Sequence, residues 1–317
     1  MRALWMVVAG LLFSVMGACV KWASQYYDIA EIVFYRSLIG VVILYAFALW
    51  RRTATRAVTS SKGTTLRVHA FSLATPHAGM HIRRSVNGTI ALALWFYATT
   101  LLPLGTAMTL NYASSLYLAA AVIGMAVHQR RQVDSKLAAA VLIGFVGVLL
   151  VLQPSFTRDQ GSAALAGLLS GVFAAIAYWH LRDLGRLGEP EWRTVFYFSL
   201  TGSLLGLVGS LITGLSTHTP EGVLLLAGVG LSALLAQLAM TRAYGSGHTL
   251  LVANLQYSAI VFASILGVAW FGDHIPPFAW IGIAIIVLSG VAASTLTARR
   301  RPSGPAKIVD VEPASEK

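Results

Sequence analysis

Long apolar stretches alternate with short polar connections along nearly the whole chain. A helix needs about 20 apolar residues to cross the hydrocarbon core of a bilayer, and the longest stretch without a charged residue, 85–127, covers about twice that length. Leu102-Pro103-Leu104-Gly105 divides it, because proline and glycine interrupt helices. The pattern therefore predicts ten transmembrane helices, at residues 3–22, 31–50, 84–101, 105–127, 137–153, 162–181, 194–214, 222–242, 249–271 and 277–297.

The composition agrees with a fold embedded in lipid, since 56% of the residues are hydrophobic and only 11% are charged. Soluble domains carry about 25% charged residues, so this chain does not have the composition of a soluble globular protein. Residues 51–83 form the longest predicted segment outside the membrane, and residues 299–317 form a polar tail that is predicted to be disordered. Neither segment has the pattern of a folded domain.

The distribution of Lys and Arg predicts the orientation. With the N-terminus inside, 20 of the 23 Lys and Arg residues fall on that side, and only Lys21, Arg36 and Arg158 remain elsewhere. Positive charge marks the cytoplasmic side, so both termini are predicted to be cytoplasmic in a bacterial-type inner membrane. The same distribution explains the net charge of +11 without nucleic acid. Anionic membrane lipid is the predicted partner of the basic segments 51–84 and 299–301.

An internal repeat predicts the architecture. Residues 106–149 and 249–292 align at an offset of 143, with nine identities in 44 positions that include the pair Asn111 and Asn254. The chain is therefore predicted to be an all-α integral membrane protein built from two five-helix repeats, residues 1–153 and 160–298. Because five is odd, the second repeat is inverted relative to the first, a construction that many secondary transporters use.

Several segments resemble the EamA-type transporters of the drug/metabolite transporter superfamily. They are Glu31–Arg36, Trp95–Ala98, Leu102–Ala107, Asn111-Tyr112, Leu255–Tyr257 and Phe271–Pro276. The resemblance covers about residues 1–298, and it implies ten helices, cytoplasmic termini and transport of small metabolites, often outward. Two positions depart from the family pattern. Ser115 replaces a proline in the fourth span, which predicts a straighter helix, and Gln129-Arg130 replaces an acidic residue.

Polar side chains inside predicted spans are the candidate substrate-binding residues, because polar groups in hydrocarbon are costly unless they face a cavity or a partner. The candidates are Asn111, Asn254, Gln256, Tyr257, Tyr112, Trp95, Tyr97, Tyr178, Gln237 and Arg36. Helix–helix hydrogen bonding is the alternative role for the amides. For Arg36 the two readings are an anchor for a substrate carboxylate or phosphate and a partner of Glu31 or Asp28 at the outer interface.

No carboxylate lies in the interior of a predicted span, and an embedded carboxylate is what binds cationic drugs and relays protons. The substrate is therefore predicted to be a zwitterionic or anionic small molecule, amino-acid-like or an amino-acid-derived metal chelator, and to be exported. The alternatives are an importer of a cofactor or nucleoside-type metabolite and a membrane-embedded enzyme that modifies lipid. No catalytic motif, cofactor site or metal site is predicted.

Overall fold

The computed structural model describes residues 4–52, 56–59, 65–68, 73–130, 132, 135–152, 158–244, 252 and 255–299. The helices are α1 (Trp5–Ala23), α2 (Ile29–Arg52), α3 (Ala78–Leu101), α4 (Leu104–Tyr112), α5 (Ser114–His128), α6 (Ser135–Leu152), α7 (Arg158–Arg186), α8 (Glu191–Thr213), α9 (Pro220–Tyr244), α10 (Ser258–Phe271) and α11 (Pro277–Arg299). Two short strands, β1 (Arg56–Thr59) and β2 (Thr65–Val68), form an antiparallel hairpin between α2 and α3.

The chain is a multi-pass α-helical membrane protein. In the described residues, six helices are long and apolar enough to cross a membrane, three more are shorter and apolar, and α3 completes the set of ten predicted spans. The six are α1, Ile29–Trp50, Leu104–His128 (α4 and α5 together), Gln160–Arg186, α8 and α9. The first residues of the ninth predicted span lie outside the described part of the chain. Nearly all of the predicted tail also lies outside it.

Proline and glycine mark the helix boundaries that the sequence predicts. Leu102 is extended, as the residue before a proline prefers to be, and α4 begins directly after Pro103. Helix α9 begins at Pro220, where the side chain of Thr219 accepts a hydrogen bond from Gly222 N–H. Helix α10 ends at Gly272, whose φ of 62° lies in the left-handed region.

Two sequence predictions need correction. The fourth span is not a continuous helix, because α4 and α5 meet at Ala113, where Leu116 N–H bonds to Ala113 carbonyl three residues earlier. The same kind of break precedes α10, where Ala259 N–H bonds to Gln256 carbonyl. The connection between the second and third spans is also shorter than the predicted segment 51–83, because α2 extends to Arg52 and α3 begins at Ala78, with the β hairpin between them.

Helix packing is organised by a few extensive pairs, namely α3 with α7, α2 with α8, α6 with α11 and α1 with α9. The pairs are symmetric between the two halves of the chain, in which α1, α2, α3 and α6 correspond to α7, α8, α9 and α11. The α3–α7 pair corresponds to the α1–α9 pair, and each of the other two pairs joins two corresponding helices. Glycines allow close approach, since a Cβ at Gly206 of α8 would lie 2.6 Å from the backbone nitrogen of Phe34 on α2. The sequence has GxxxG spacing at Gly202–Gly206 and Gly167–Gly171, which predicts close packing inside the fold, and the close contacts at all four glycines confirm it.

Candidate functional site

A cavity of about 60 Å³, called the central cavity below, lies between the helices of the bundle. Helices α1, α3, α4, α7, α8 and α9 supply its walls, so both halves of the chain contribute. Much of the lining is apolar, with Phe13 and Met16 from α1, Met108 from α4 and Met240 from α9. A mostly apolar chamber with a few placed polar groups is the usual form of a small-molecule site.

Arg84 is the charged residue among the side chains that line this cavity. It is 3% exposed, its Nη2 donates a hydrogen bond of 3.2 Å to Oε1 of Gln237, and its guanidinium carbon lies 4.0 Å from the centre of the Phe198 ring. Its Nε and Nη1 are buried and have no hydrogen-bond partner among the residues that the structure describes. Gly88, one turn further along α3, leaves room for the guanidinium, because a Cβ there would lie 3.3 Å from Nη1.

The remaining polar lining residues are mainly hydrogen-bond donors or are already engaged. Trp95 is 4% exposed, and its Nε1 has no hydrogen-bond partner in the described part of the chain. The side-chain amide of Asn111 donates to Oγ of Ser170 at 3.0 Å. The carbonyl oxygen of the Gln237 side chain accepts from Arg84. A site that offers a guanidinium and an indole N–H is complementary to an oxyanion, since a carboxylate accepts hydrogen bonds but does not donate them.

Half of the predicted candidates come together in this cavity. The lining includes Trp95, Asn111, Tyr112, Tyr178 and Gln237. Asn254 lies outside the described residues, and the four remaining candidates, Tyr97, Gln256, Tyr257 and Arg36, lie outside the lining.

Those four side chains have identifiable surroundings. Tyr97 faces away, with its hydroxyl 2.9 Å from Oγ of Ser162, and Oε1 of Gln256 accepts a hydrogen bond from Tyr244. Tyr257 packs against Gly290, where a Cβ would collide with the phenol. Arg36 is 3% exposed and packs over the same Phe198 ring as Arg84.

Arg84 is the charged lining residue that the sequence did not predict as a candidate, because it directly precedes the apolar stretch and resembles the other basic residues before the third span. Helix α3 begins earlier than predicted, at Ala78, and this places Arg84 in its second turn. A sequence signal existed: Arg84, Gly88, Ala91 and Trp95 follow one another at intervals of three and four, which places them on one helix face. All four line the cavity.

A pair of stacked tyrosines separates this cavity from a second one. Tyr178 lines the central cavity, whereas Tyr244 lines a pocket between the end of α7, the start of α8 and the end of α9. The two rings are stacked with their centres 6.1 Å apart, and the hydroxyl of Tyr244 donates to Gln256 at 2.9 Å. The pair therefore lies between the central cavity and the pocket at the ends of α7 and α9.

At the same face as this pocket, Glu189 contacts the start of α3, the start of α8 and the segment before α3. Its carboxylate accepts hydrogen bonds from Thr75 and from Arg193, and His81 Nε2 lies 3.5 Å away with its ring stacked on Tyr197. Burial raises the pKa of the Glu189 carboxyl, but the hydrogen bonds from Thr75 and Arg193 and the charge of Arg193 outweigh burial, so its pKa is below the usual value.

At the opposite face, Asp273 connects three elements. One carboxylate oxygen pairs with Nζ of Lys21 at 2.8 Å, and the other accepts a hydrogen bond of 2.7 Å from the N–H of Leu104, the first residue of α4. Lys21 also donates to the carbonyl of Leu102 at 3.3 Å. These contacts hold together the end of α1, the turn before α4 and the connection between α10 and α11.

Glu31 lies near that face, and its surroundings differ from the predicted ones. It is fully buried, its Oε2 accepts a hydrogen bond from Ser216 N–H, and its Oε1 lies 3.8 Å from His218. Asp28 accepts a hydrogen bond from Ala30 N–H. Within the described residues neither carboxylate forms an ion pair with Arg36, so the predicted pairing of Arg36 with Glu31 or Asp28 is wrong.

The chain resembles known transporters over almost its full length. It is 30% identical over 292 residues to the pseudopaline exporter CntI of Pseudomonas aeruginosa, which covers 91% of this chain and 94% of that protein. An uncharacterized transporter of Helicobacter pylori is 28% identical over 294 residues, 90% of this chain and 91% of that protein. A riboflavin transporter of Vibrio cholerae is 27% identical over 292 residues, 90% of each chain.

A solved crystal structure shares the fold with a TM-score of 0.63 at 19% identity, covering 95% of this chain and 99% of that one. The EamA-like transporter family matches residues 1–153 and again residues 161–295. Two consecutive matches together span almost all of the ten-helix region described above. The chain therefore belongs to the EamA-like transporter family.

Proposed function

We propose that this protein is a secondary transporter that exports a small zwitterionic or anionic metabolite across the bacterial inner membrane. The substrate is amino-acid-like, and the class includes amino-acid-derived metal chelators. The observation that carries the proposal is Arg84, a buried guanidinium in the wall of the central cavity with two unpartnered nitrogens. A buried charge without a partner is costly, so the site is suited to an anion that arrives with the substrate.

The arrangement of the helices supports transport by alternating access between two inverted repeats. The packed helix pairs of the first half correspond to those of the second half. The helices of the fourth and ninth spans are also both interrupted, at the aligned positions Ala113 and Gln256. Interrupted helices near the midplane form the substrate site in many transporters built from inverted repeats. We assign residues 1–153 to the first repeat and residues 160–298 to the second.

The proposed orientation rests on the distribution of positive charge, which places both termini in the cytoplasm. The Lys21–Asp273 contact then closes the periplasmic face, and the Tyr178–Tyr244 pair lies on the cytoplasmic side of the cavity. Export is favoured by the resemblance to the pseudopaline exporter. In this assignment the substrate enters past the tyrosine pair and leaves after the Lys21–Asp273 contact opens.

Uptake of a cofactor-type metabolite is the second candidate. The cavity is rich in aromatic side chains, with Phe13, Trp95, Tyr178 and Phe198 in its wall, and such rings stack well on a planar heterocycle. The riboflavin transporter among the similar proteins belongs to this class. A neutral heterocycle, however, leaves Arg84 without a counter-charge.

The first experiment compares metabolites inside and outside cells that lack this protein with those of cells that overproduce it. We expect a carboxylate-bearing compound to accumulate inside the deletion strain and to be enriched in the medium of the overproducer. Loss of uptake in the deletion strain would instead select the second candidate. The compound identified in this way becomes the substrate for transport assays in vesicles.

Arg84→Gln tests the residue on which the proposal rests. Loss of a charge-assisted hydrogen bond is expected to reduce the apparent affinity for the substrate by about 10- to 100-fold. Arg83→Gln is the matched control, because it removes the same charge from the neighbouring position of α3, where the side chain is exposed. Equal transport by the two variants would show that Arg84 does not bind the substrate.

A further inference from the structure

A second buried arginine lies behind the wall of the central cavity. The guanidinium carbon of Arg36 on α2 is 5.1 Å from the centre of the Phe198 ring, and that of Arg84 on α3 is 4.0 Å from the same centre. Phe198 itself lines the cavity. The two guanidinium carbons are therefore no more than about 9 Å apart, a separation at which like charges in a protein interior repel each other.

The described part of the chain provides no counter-charge for this pair. Each of the two arginines is 3% exposed, and the Nε of each is buried without a hydrogen-bond partner. The acidic residues nearest to Arg36 in the sequence are engaged elsewhere, Glu31 by Ser216 and Asp28 by the start of its own helix. None of the residues that line the cavity is acidic.

The Phe198 ring explains how two buried cations are tolerated so close together. The face of an aromatic ring attracts a cation, and this attraction is larger when the pair is desolvated. It does not neutralise the charge, so two buried positive charges remain to be balanced. Buried charges inside a membrane protein are costly, and they usually mark a functional site.

We propose that Arg36 and Arg84 form a two-anion site, and that the substrate carries two carboxylates rather than one. This inference rests on the proposed function of the cavity as the substrate site. Arg84 binds one carboxylate directly in the cavity. Arg36, which acts across Phe198, attracts the second and so determines the preference for a dianion over a monoanion.

The separation of the guanidinium groups limits the spacing of the two carboxylates. Carboxylates at the ends of a chain of about two to four carbons fit within this span of about 9 Å, so that one pairs with Arg84 while the other lies against Phe198, close enough to be attracted by Arg36. Aspartate, glutamate, succinate and glutarate have this spacing. Alanine and butyrate are related compounds that carry a single carboxylate, and they are the corresponding controls.

The test measures ligand-dependent thermal stabilisation of the purified full-length protein with each of these six compounds, since a ligand that binds the folded state raises the unfolding temperature. In the wild type, the dicarboxylates are expected to bind at least about 10-fold more tightly than alanine and butyrate. Arg36→Gln is expected to abolish this preference while the weak binding of the monocarboxylates is retained. Arg36→Lys, which keeps the charge, should restore part of the preference.

The outcomes separate this inference from the proposed function. Absence of stabilisation by all four dicarboxylates overturns the two-anion site. Equal weakening of dicarboxylates and monocarboxylates in Arg36→Gln also overturns it, because it shows that Arg36 has only a structural role. In both cases the proposed function still stands if Arg84→Gln, but not Arg83→Gln, reduces transport of the exported compound.

Discussion

Asp273→Asn removes the charge from the contact with Lys21 at the face opposite the N-terminus. The side chain keeps its size, and its amide oxygen can still accept the hydrogen bond from Leu104 N–H. The substitution removes the attraction between the Asp273 carboxylate and the Lys21 ammonium, in which Oδ1 and Nζ are 2.8 Å apart. Both side chains are largely shielded from solvent, with 9% of the Asp273 side chain and 17% of the Lys21 side chain exposed.

The magnitude follows from this burial. Two charges about 4 Å apart near a protein surface attract each other by about 4 kcal/mol before the cost of desolvation. A hydrogen bond to a charged group contributes about 1.5–3 kcal/mol net. Fully exposed pairs contribute only about 0–1 kcal/mol. We therefore expect Asp273→Asn to lower the free energy of unfolding by about 1–3 kcal/mol.

A double-mutant cycle measures the pairwise part of this energy. The variants are Asp273→Asn, Lys21→Met and the combination, and the quantity measured is the free energy of reversible unfolding in mixed micelles. We expect a coupling free energy of about 1–2 kcal/mol, because the pair is partly buried and well aligned. The control cycle uses Arg186→Met and Asp183→Asn, a pair 3.8 Å apart in which the Arg186 side chain is 54% exposed.

The control pair is expected to show a coupling of at most about 0.5 kcal/mol. If the effects of Asp273→Asn and Lys21→Met simply add, the two side chains do not stabilise each other. The connection at this face would then depend on apolar packing and on the hydrogen bond that Leu104 N–H donates to the residue 273 side chain. The reasoning from charge and burial would be refuted.

Two further predictions concern packing and pH. Gly206→Ala is expected to cost about 1–3 kcal/mol of stability, because its Cβ would lie 2.6 Å from Phe34 backbone nitrogen. Gly185→Ala, whose Cβ meets nothing within 4 Å, should instead add up to about 1 kcal/mol, and thermal unfolding of both variants measures the contrast. The folded-state pKa of Glu189 lies below the usual value of 4.5, so its stabilisation is present above that pH and is lost as the pH falls through the folded-state pKa. Glu189→Gln should therefore destabilise the protein at neutral pH and differ less from the wild type in strong acid; a difference independent of pH would contradict this assignment.

Much of the fold is predictable from the sequence because the relevant signals are local. About 20 consecutive apolar residues are sufficient to predict a membrane helix, so all ten spans were located. Pro103 and Gly272 end helices through their own backbone preferences, which requires no knowledge of the neighbouring helices. The glycine pairs of α7 and α8 predicted close packing for the same reason, since a missing side chain allows close approach wherever the partner lies.

The site was predictable only in part, because hydrophobicity does not determine which sides of different helices face the same space. Trp95, Asn111 and Gln237 lie on three helices, and their convergence depends on how each helix is rotated and packed against the others. Gln256 and Tyr257 have the same polar character, but packing directs them elsewhere. Polarity inside a span therefore indicated candidates, and tertiary packing selected among them.

The sequence by itself determined the membrane architecture, the packing glycines and the absence of carboxylates in the span interiors. Tertiary structure alone decided that Arg84 lies in the cavity wall and that Arg36 shares its aromatic partner. A charge count treats Arg83 and Arg84 alike, because both precede the apolar stretch. One is exposed and the other is buried because adjacent residues of a helix point about 100° apart, and only contact with Phe198 on a distant helix reveals which direction is the interior.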